Sequence, residues 1–188
     1  MQSEGIDISS VLVEGARKGN QQSIYKLYKM YVQAMYNICI RMVSIQADAE
    51  DVVQESFIKA FGNLGSYKGE SSFGIWLKRI VINTSINHLK KRKQWLINTD
   101  ESLVPIENIS DNDFTEDGIL DKISPEMIHE AIKTLPDKAR TVLNLYLLEN
   151  YRHKEIAKML EISESTSKSQ YQRALKLLQE RLTKMVDQ

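Results

Sequence analysis

Three groups of side chains in this 188-residue chain have types and spacings that could do chemistry. Asp48, Glu50, Asp51 and Glu55 crowd into one stretch, ADAEDVVQESFIKAF. Lys78, Arg79, Lys90, Lys91, Arg92 and Lys93 run along FGIWLKRIVINTSINHLKKRK, with Asn83, Asn87 and His88 interspersed. Ser165, Thr166, Lys168, Ser169, Gln172, Arg173 and Lys176 follow at helical spacing, and no Asp or Glu stands between Glu164 and Glu180.

Each group admits a limited chemistry. The carboxylates could serve a metal-dependent hydrolase or nuclease, but they share one helix start, and a metal centre needs ligands from a second element. Asp51 and Glu55 are four apart and therefore adjacent on a helix, where like charges repel by a few tenths of a kcal/mol. No Lys or Arg lies between Arg41 and Lys59 to relieve them, so a basic partner would. Simple capping and a solvated acidic face remain an equal reading, with Asp48 as the N-cap. The cations suit a helix C-terminus through the dipole, and equally suit phosphates, with asparagines able to reach base edges and Tyr67 able to stack on an unpaired base. The third group has the donors that a recognition helix sets into a major groove. A single cysteine, Cys39, and three separated histidines (His88, His129, His153) leave no disulfide and no metal set, so neither metal nor cofactor is expected.

The elements that hold these groups are helical. Eight Gly and three Pro are few, and apolar residues recur at three- and four-residue steps, so the fold class is all-α. Ile24, Leu27, Tyr28, Tyr31, Met35 and Ile38 or Cys39 mark one helix, in which the tyrosines are packing groups and Cys39 a small buried hydrophobe. Val53, Phe57, Ala60 and Phe61 mark the next, and Phe73, Trp76, Leu77, Ile80 and Thr84 a third. From Ser124, as an N-cap before Pro125, four helices follow, with Ala139, Val142, Leu143, Tyr146 and Leu147 buried on the second of them. A tight turn at Glu161 to Ser163 joins Ile156, Ala157, Leu160 and Ile162 to a long helix burying Tyr171, Ala174, Leu175, Leu178 and Leu182, a helix-turn-helix pattern.

The charges divide the chain. Residues 1 to 94 hold 13 basic and 8 acidic side chains, 95 to 125 hold one and eight, and 126 to 188 hold 11 and 9, although the whole sums to zero. The middle lacks any sustained period and is broken by Pro105, so 95 to 123 reads as an acidic flexible linker between small domains at 1 to 94 and 124 to 188. No apolar run approaches the roughly 20 residues of a membrane helix, and the start lacks the build of a secretory signal, so a cytoplasmic protein is expected.

Three motifs, AEDVVQESFIKAF, FGIWLKRIVINTSINHLKKRK and LPDKARTVLNLYLLENYRHKEIAKMLEISESTSKSQYQRALKLL, resemble the extracytoplasmic-function (ECF) group of sigma-70 family RNA polymerase sigma factors, from about Asn20 to Leu182. The resemblance implies a promoter-melting helical domain and a winged-helix-like helix-turn-helix domain of four helices, and a binding factor rather than an enzyme. It implies that Asp48, Asp51, Gln54 and Glu55 dock on core RNA polymerase, with the clamp coiled coil of the largest subunit and the flap as contact points. The loop from Gly65 to Ser71, with Tyr67 and Lys68, would hold a flipped base of the −10 element. Lys78, Arg79, Asn83, Asn87, Lys90, Lys91 and Arg92 would contact DNA at the melting edge. Ser165, Thr166, Lys168, Ser169, Gln172, Arg173 and Lys176 would read the −35 element. The linker would thread toward the RNA exit path. No domain is expected after Gln188, so control would come from an anti-sigma protein. Two positions depart from the family pattern: Ser167 stands where an apolar residue is usual, and Asn87 where an acid is. The competing reading is a free-standing helix-turn-helix regulator whose first domain dimerises or binds a ligand.

Overall fold

A computed structural model describes residues 8 to 92 and 123 to 187. Nearly all of the expected linker, and the N-terminal stretch considered as a signal, lie outside the described residues. No strand occurs among those described, and the fold is all-α. The chain divides into two compact units, Met1–His88 and Leu89–Gln188.

The first unit is built from α1 (Ile8–Arg17), α2 (Gln21–Val43), α3 (Gln46–Gly62), a 3-10 turn (Leu64–Ser66) and α4 (Phe73–Lys90), whose last two residues lie past the division. The Asn20 side chain accepts the Ser23 N–H at 3.0 Å and so starts α2. The helix ends at Ser44 in a left-handed conformation, φ 62°. The start of α3 differs from expectation. Its N-cap position is Ile45, and Asp48 sits inside the first turn, where its charge still suits the dipole.

The core of this unit is what the helical periods predict. Leu27, Met35, Val53, Phe57 and Leu77 are buried, Tyr28 meets Phe57 edge-on at 4.9 Å, and Tyr31 meets Phe73 at 5.4 Å. A Cβ on Gly74 would fall 2.8 Å from the Tyr31 ring, so glycine is what lets α4 approach α2 this closely. Cys39 is buried as expected, and burial pushes its thiol up to about 11. Helix α4 buries a broader face than the sequence suggests. Val81, Ile82, Ile86 and Leu89 are inside, whereas Trp76 and Ile80 are half-buried.

The second unit contains α5 (Pro125–Lys133), α6 (Asp137–Leu143) running into a π-turn (Asn144–Leu148), α7 (His153–Leu160) and α8 (Glu164–Val186). Ser124 caps α5 by accepting the Met127 N–H at 3.3 Å. Leu135, Ala139, Leu143 and Ala174 form its core, with Tyr171, Leu175 and Leu178 packed against them. Tyr146 and Leu147 are exposed instead of buried, and Leu145 is buried. The cause is the π-turn: the Glu149 N–H bonds to the Asn144 carbonyl, five residues back, at 3.1 Å, and the additional residue rotates the following side chains off the α-helical register.

Arg140 is almost wholly buried and holds the α5–α6 corner. Its guanidinium donates to the Leu135 carbonyl at 2.6 Å and the Lys133 carbonyl at 3.2 Å, and pairs with Asp137. Helix α7 stops at Glu161, whose φ of 58° lets the Ile162 N–H reach back to the Ala157 carbonyl at 3.0 Å. Ser163 then caps α8 by accepting the Thr166 N–H at 2.9 Å, which completes the helix-turn-helix.

Candidate nucleic-acid interface

On α3 the acidic residues separate by role. Asp48 is half-buried and pairs with His88 of α4 across 3.2 Å, so both are partly committed within the fold. Glu50 accepts from Gln46 at 2.9 Å, and Glu55 pairs with Lys59 at 2.6 Å. The charge that relieves Glu55 is thus one helical turn ahead on the same helix. Lys59 Nζ also lies 3.5 Å from the Thr84 hydroxyl of α4. Asp51 and Gln54 are exposed, and Asp51 has no ion-pair partner among the described residues.

Asp51, Gln54, Glu55 and Ile58 fall at i, i+3, i+4 and i+7, hence on one stripe of α3. Ile58, at the C-terminal end of this otherwise polar stripe, is 74% exposed. Sequence reasoning passed over it, although its signal is legible: it is an isoleucine out of phase with the buried Val53, Phe57 and Ala60.

On α4, Arg79, Asn83, Asn87 and Lys91 succeed one another at four-residue steps and are all exposed, a ladder of donors with no carboxylate in it. Lys90 and Arg92 are half-buried beside it. Lys78 is off this ladder, one row round the helix, in line with the buried Ile82 and Ile86. Asn87 is exposed, and nothing in its surroundings accounts for the residue type.

The loop before α4 is anchored. The Tyr67 hydroxyl donates to the Ser71 carbonyl at 2.7 Å, and its ring packs at 5.4 Å from Trp76 and 5.8 Å from Phe73. The Arg17 guanidinium of α1 lies 5.9 Å from the same ring and also bonds the Tyr67 carbonyl. Tyr67 therefore belongs to a packed aromatic cluster at the rim of the unit, while Lys68 beside it is exposed.

Several of the side chains expected to read DNA already have partners on or beside α8. Ser165 and Thr166 hydroxyls both lie 2.7 Å from the Ser163 hydroxyl, and the Ser169 hydroxyl donates to the Thr166 carbonyl at 3.0 Å. Lys168 pairs with Glu164 at 2.9 Å, and that bonded ammonium holds the Glu164 carboxyl below its usual range. Gln172 and Arg173 are half-buried and Lys176 is exposed. Ser167, between Thr166 and Lys168, is fully buried, and its hydroxyl lies 2.9 Å from His153 Nδ1 on α7. The departure from the family pattern at Ser167 is therefore matched by a polar partner.

Among the described residues no three His, Cys, Asp or Glu side chains gather as metal ligands, and no helix is long and apolar enough to cross a membrane.

A family model described as Sigma-70 region 2 matches residues 27–95, and one described as Sigma-70, region 4 matches residues 126–178. The RNA polymerase sigma-H factor of Pseudomonas aeruginosa is 31% identical over 87% of this chain and 88% of its own length. The ECF RNA polymerase sigma-E factor of Salmonella typhimurium (strain LT2) is 31% identical over 94% of this chain and 95% of its own. The chain belongs to the ECF subfamily of sigma-70 family RNA polymerase sigma factors. This ECF sigma factor also matches SigW of Bacillus subtilis at 28% identity over 90% of the chain and 94% of that protein. Its fold is shared with the sigma factor RpoE of Bartonella quintana, solved in complex with the anti-sigma factor NepR, at a TM-score of 0.53 and 21% identity, over 85% of this chain and 96% of that one. Both the α3 and α4 motifs fall within the region 2 match, so a free-standing regulator no longer accounts for the chain. The sigma factor serves promoter-directed initiation of transcription.

Proposed function

We propose that this sigma factor acts by binding alone, docking on core RNA polymerase through α3 and carrying it to promoters that the two units read separately. The observation that carries the proposal is the pairing, within residues 46 to 91, of an exposed Asp51–Gln54–Glu55–Ile58 stripe with an exposed Arg79–Asn83–Asn87–Lys91 ladder. An acidic stripe that ends in an exposed isoleucine suits a basic partner with an apolar foothold, and the partner assigned here is the basic clamp coiled coil of the polymerase. A ladder of donors suits a polyanion.

The first domain, 1 to 94, takes the −10 element. Arg79, Asn83, Asn87, Lys90, Lys91 and Arg92 contact the strand at the melting edge, and Tyr67 and Lys68 lie at the rim where an extruded base would bind. Extrusion costs a few kcal/mol, which binding the released base and single strand offsets without ATP. The second domain, 124 to 188, reads the −35 element as duplex, with Thr166, Lys168, Ser169, Gln172 and Arg173 toward base edges and Ser165 and Lys176 toward phosphates. The linker between them follows the polymerase toward the RNA exit path. Lys78 is assigned the backbone rather than a base, because it stands off the ladder. The factor works in the cytoplasm, and an anti-sigma protein restrains it, as one is bound to the Bartonella quintana relative.

Gel filtration with bacterial core polymerase, followed by run-off transcription on a genomic promoter library, tests this. Co-elution with new specific start sites is the expected result. Failure to co-elute, with tight salt-sensitive binding of the free chain to one duplex site, would overturn it.

A further inference from the structure

The seat of the recognition helix contains a group that the reading of promoters has not used. Ser167 lies at 0% exposure in the first turns of α8, and its hydroxyl, 2.9 Å from His153 Nδ1, ties α8 to the first residue of α7. The imidazole is fixed on its other sides. Its ring stacks on Tyr146 at 4.4 Å with a 14° tilt and meets Tyr171 edge-on at 5.7 Å. Tyr146 owes its position to the π-turn, and Tyr171 belongs to α8, so His153 touches both elements that flank α7.

A neutral ring with its proton on Nε2 accepts the Ser167 proton at Nδ1, which satisfies the buried serine hydroxyl. Protonation makes Nδ1 a donor. The contact then survives only if the serine hydroxyl reverses and finds another acceptor inside the helix. The groups facing the ring are Lys168 and Glu164 on α8, Tyr171 on α8 and Tyr146 on the π-turn, with Arg152 and Lys154 beside it in the chain. Burial first, then Lys168, pushes the imidazole pKa below its ordinary value, and Glu164 opposes them. The folded protein therefore favours the neutral ring, and the α7 N-terminus disfavours a cation there as well.

We propose that Ser167 and His153 are a positioning pair that sets the seat of α8 on α7, and so fixes how strictly the second domain discriminates its promoter element, with discrimination relaxing when the ring is protonated. Thr166 and Lys168 flank Ser167 directly, so a shift at the anchor moves two reading residues together. The proposal rests on the −35 reading assigned to this domain above.

The test uses holoenzyme reconstituted from core polymerase and the full chain. Run-off transcription is compared on a selected promoter and on the same promoter with its −35 element scrambled, at about pH 8 and about pH 5.5, the lower value set well beneath the ordinary imidazole pKa because the ring titrates below it. The ratio of the two templates is insensitive to how much protein is folded. For wild type the ratio should fall several-fold on acidification. Ser167→Ala and His153→Phe should lower it at the higher pH by about fivefold, the worth of one neutral hydrogen bond, and flatten its pH dependence. His153→Asn, which keeps an acceptor near the Nδ1 position and does not titrate, should retain the ratio at both pH values.

Ser167→Ala and His153→Phe behaving as wild type at both pH values, while Arg173→Ala abolishes the ratio, would overturn the proposal and leave −35 reading intact. A wild-type ratio of one would overturn both. Alanine is well tolerated in helices, so Ser167→Ala decides the matter even if a His153 variant fails to fold.

Discussion

The two units hold their polar side chains in opposite ways. In the first, Asp51, Gln54, Arg79, Asn83 and Asn87 stand exposed on ladders. In the second, Ser165, Thr166, Lys168 and Ser169 are already engaged with neighbours on α8, and Ser167 with α7. At Asp51, Gln54, Arg79, Asn83 and Asn87 the first unit thus meets a partner mainly by gaining interactions, whereas its Asp48 and Glu55 are already paired within the fold. The second must exchange short-range partners for base edges and phosphates. That exchange favours discrimination over affinity, because a wrong sequence leaves groups that do better returning to their own helix. It fits a division in which the first unit secures polymerase and melted strand, and the second checks duplex sequence.

The most committed polar group in the second unit should give the largest effect. Arg140→Ala removes a buried guanidinium, leaves the Leu135 and Lys133 carbonyls without their donor, and takes from Asp137 the nearer of its two cations. A loss of about 3–5 kcal/mol is expected, enough to unfold this unit, which urea denaturation followed by circular dichroism would register as the disappearance of one transition. An unchanged profile would mean that the second unit does not depend on its internal polar links.

The least committed group of the first unit comes next. Asp51→Lys with Glu55→Lys should lower core-polymerase affinity by tenfold or more while leaving helicity intact, measured by fluorescence anisotropy at two salt concentrations. Glu55 alone should matter less, since Lys59 already shares its charge. Equal effects from the two single variants would blur the contrast between free and engaged side chains.

Arg173 sharpens the comparison from within α8, being a proposed reading residue with no ion-pair partner among the described residues. Arg173→Ala should cost about 1–3 kcal/mol of promoter binding with the −35 element intact and little once it is scrambled. Lys168→Ala, which gives up a neighbour as well as a contact, should cost less than Arg173→Ala.

Much of this was legible in the sequence, for identifiable reasons. The α2 and α3 stripes, the Ser124–Pro125 start and the helix-turn-helix core are local patterns, and helical periodicity encodes them directly. What escaped was non-local or broke the period. Asp48 is recognisable as a dipole residue but not as the partner of His88, forty positions away. Tyr146 and Leu147 keep the helical period in the sequence, and only a hydrogen bond slipped by one residue turns them outward. Ser167 reads as a departure until His153 is set against it, because the compensating group lies fourteen positions back across a turn.

The smallest effect separates the units most cleanly, because the same device occurs in both. Asn20 caps α2 and Ser163 caps α8, each accepting one backbone N–H three residues on, at 3.0 Å and 2.9 Å. Either residue changed to Ala should lower stability by about 1 kcal/mol. Their consequences for promoter use should differ. The Ser163 hydroxyl also lies against the hydroxyls of Ser165 and Thr166, so its loss disorganises two reading residues, whereas the Asn20 side chain touches none. Run-off transcription on intact and scrambled −35 templates should therefore show a lower ratio for Ser163→Ala and an unchanged ratio for Asn20→Ala at matched folded fraction. Equal ratios would mean that the hydroxyl cluster at the start of α8 is only a cap, and that the engaged state of the second unit has no bearing on how it reads DNA.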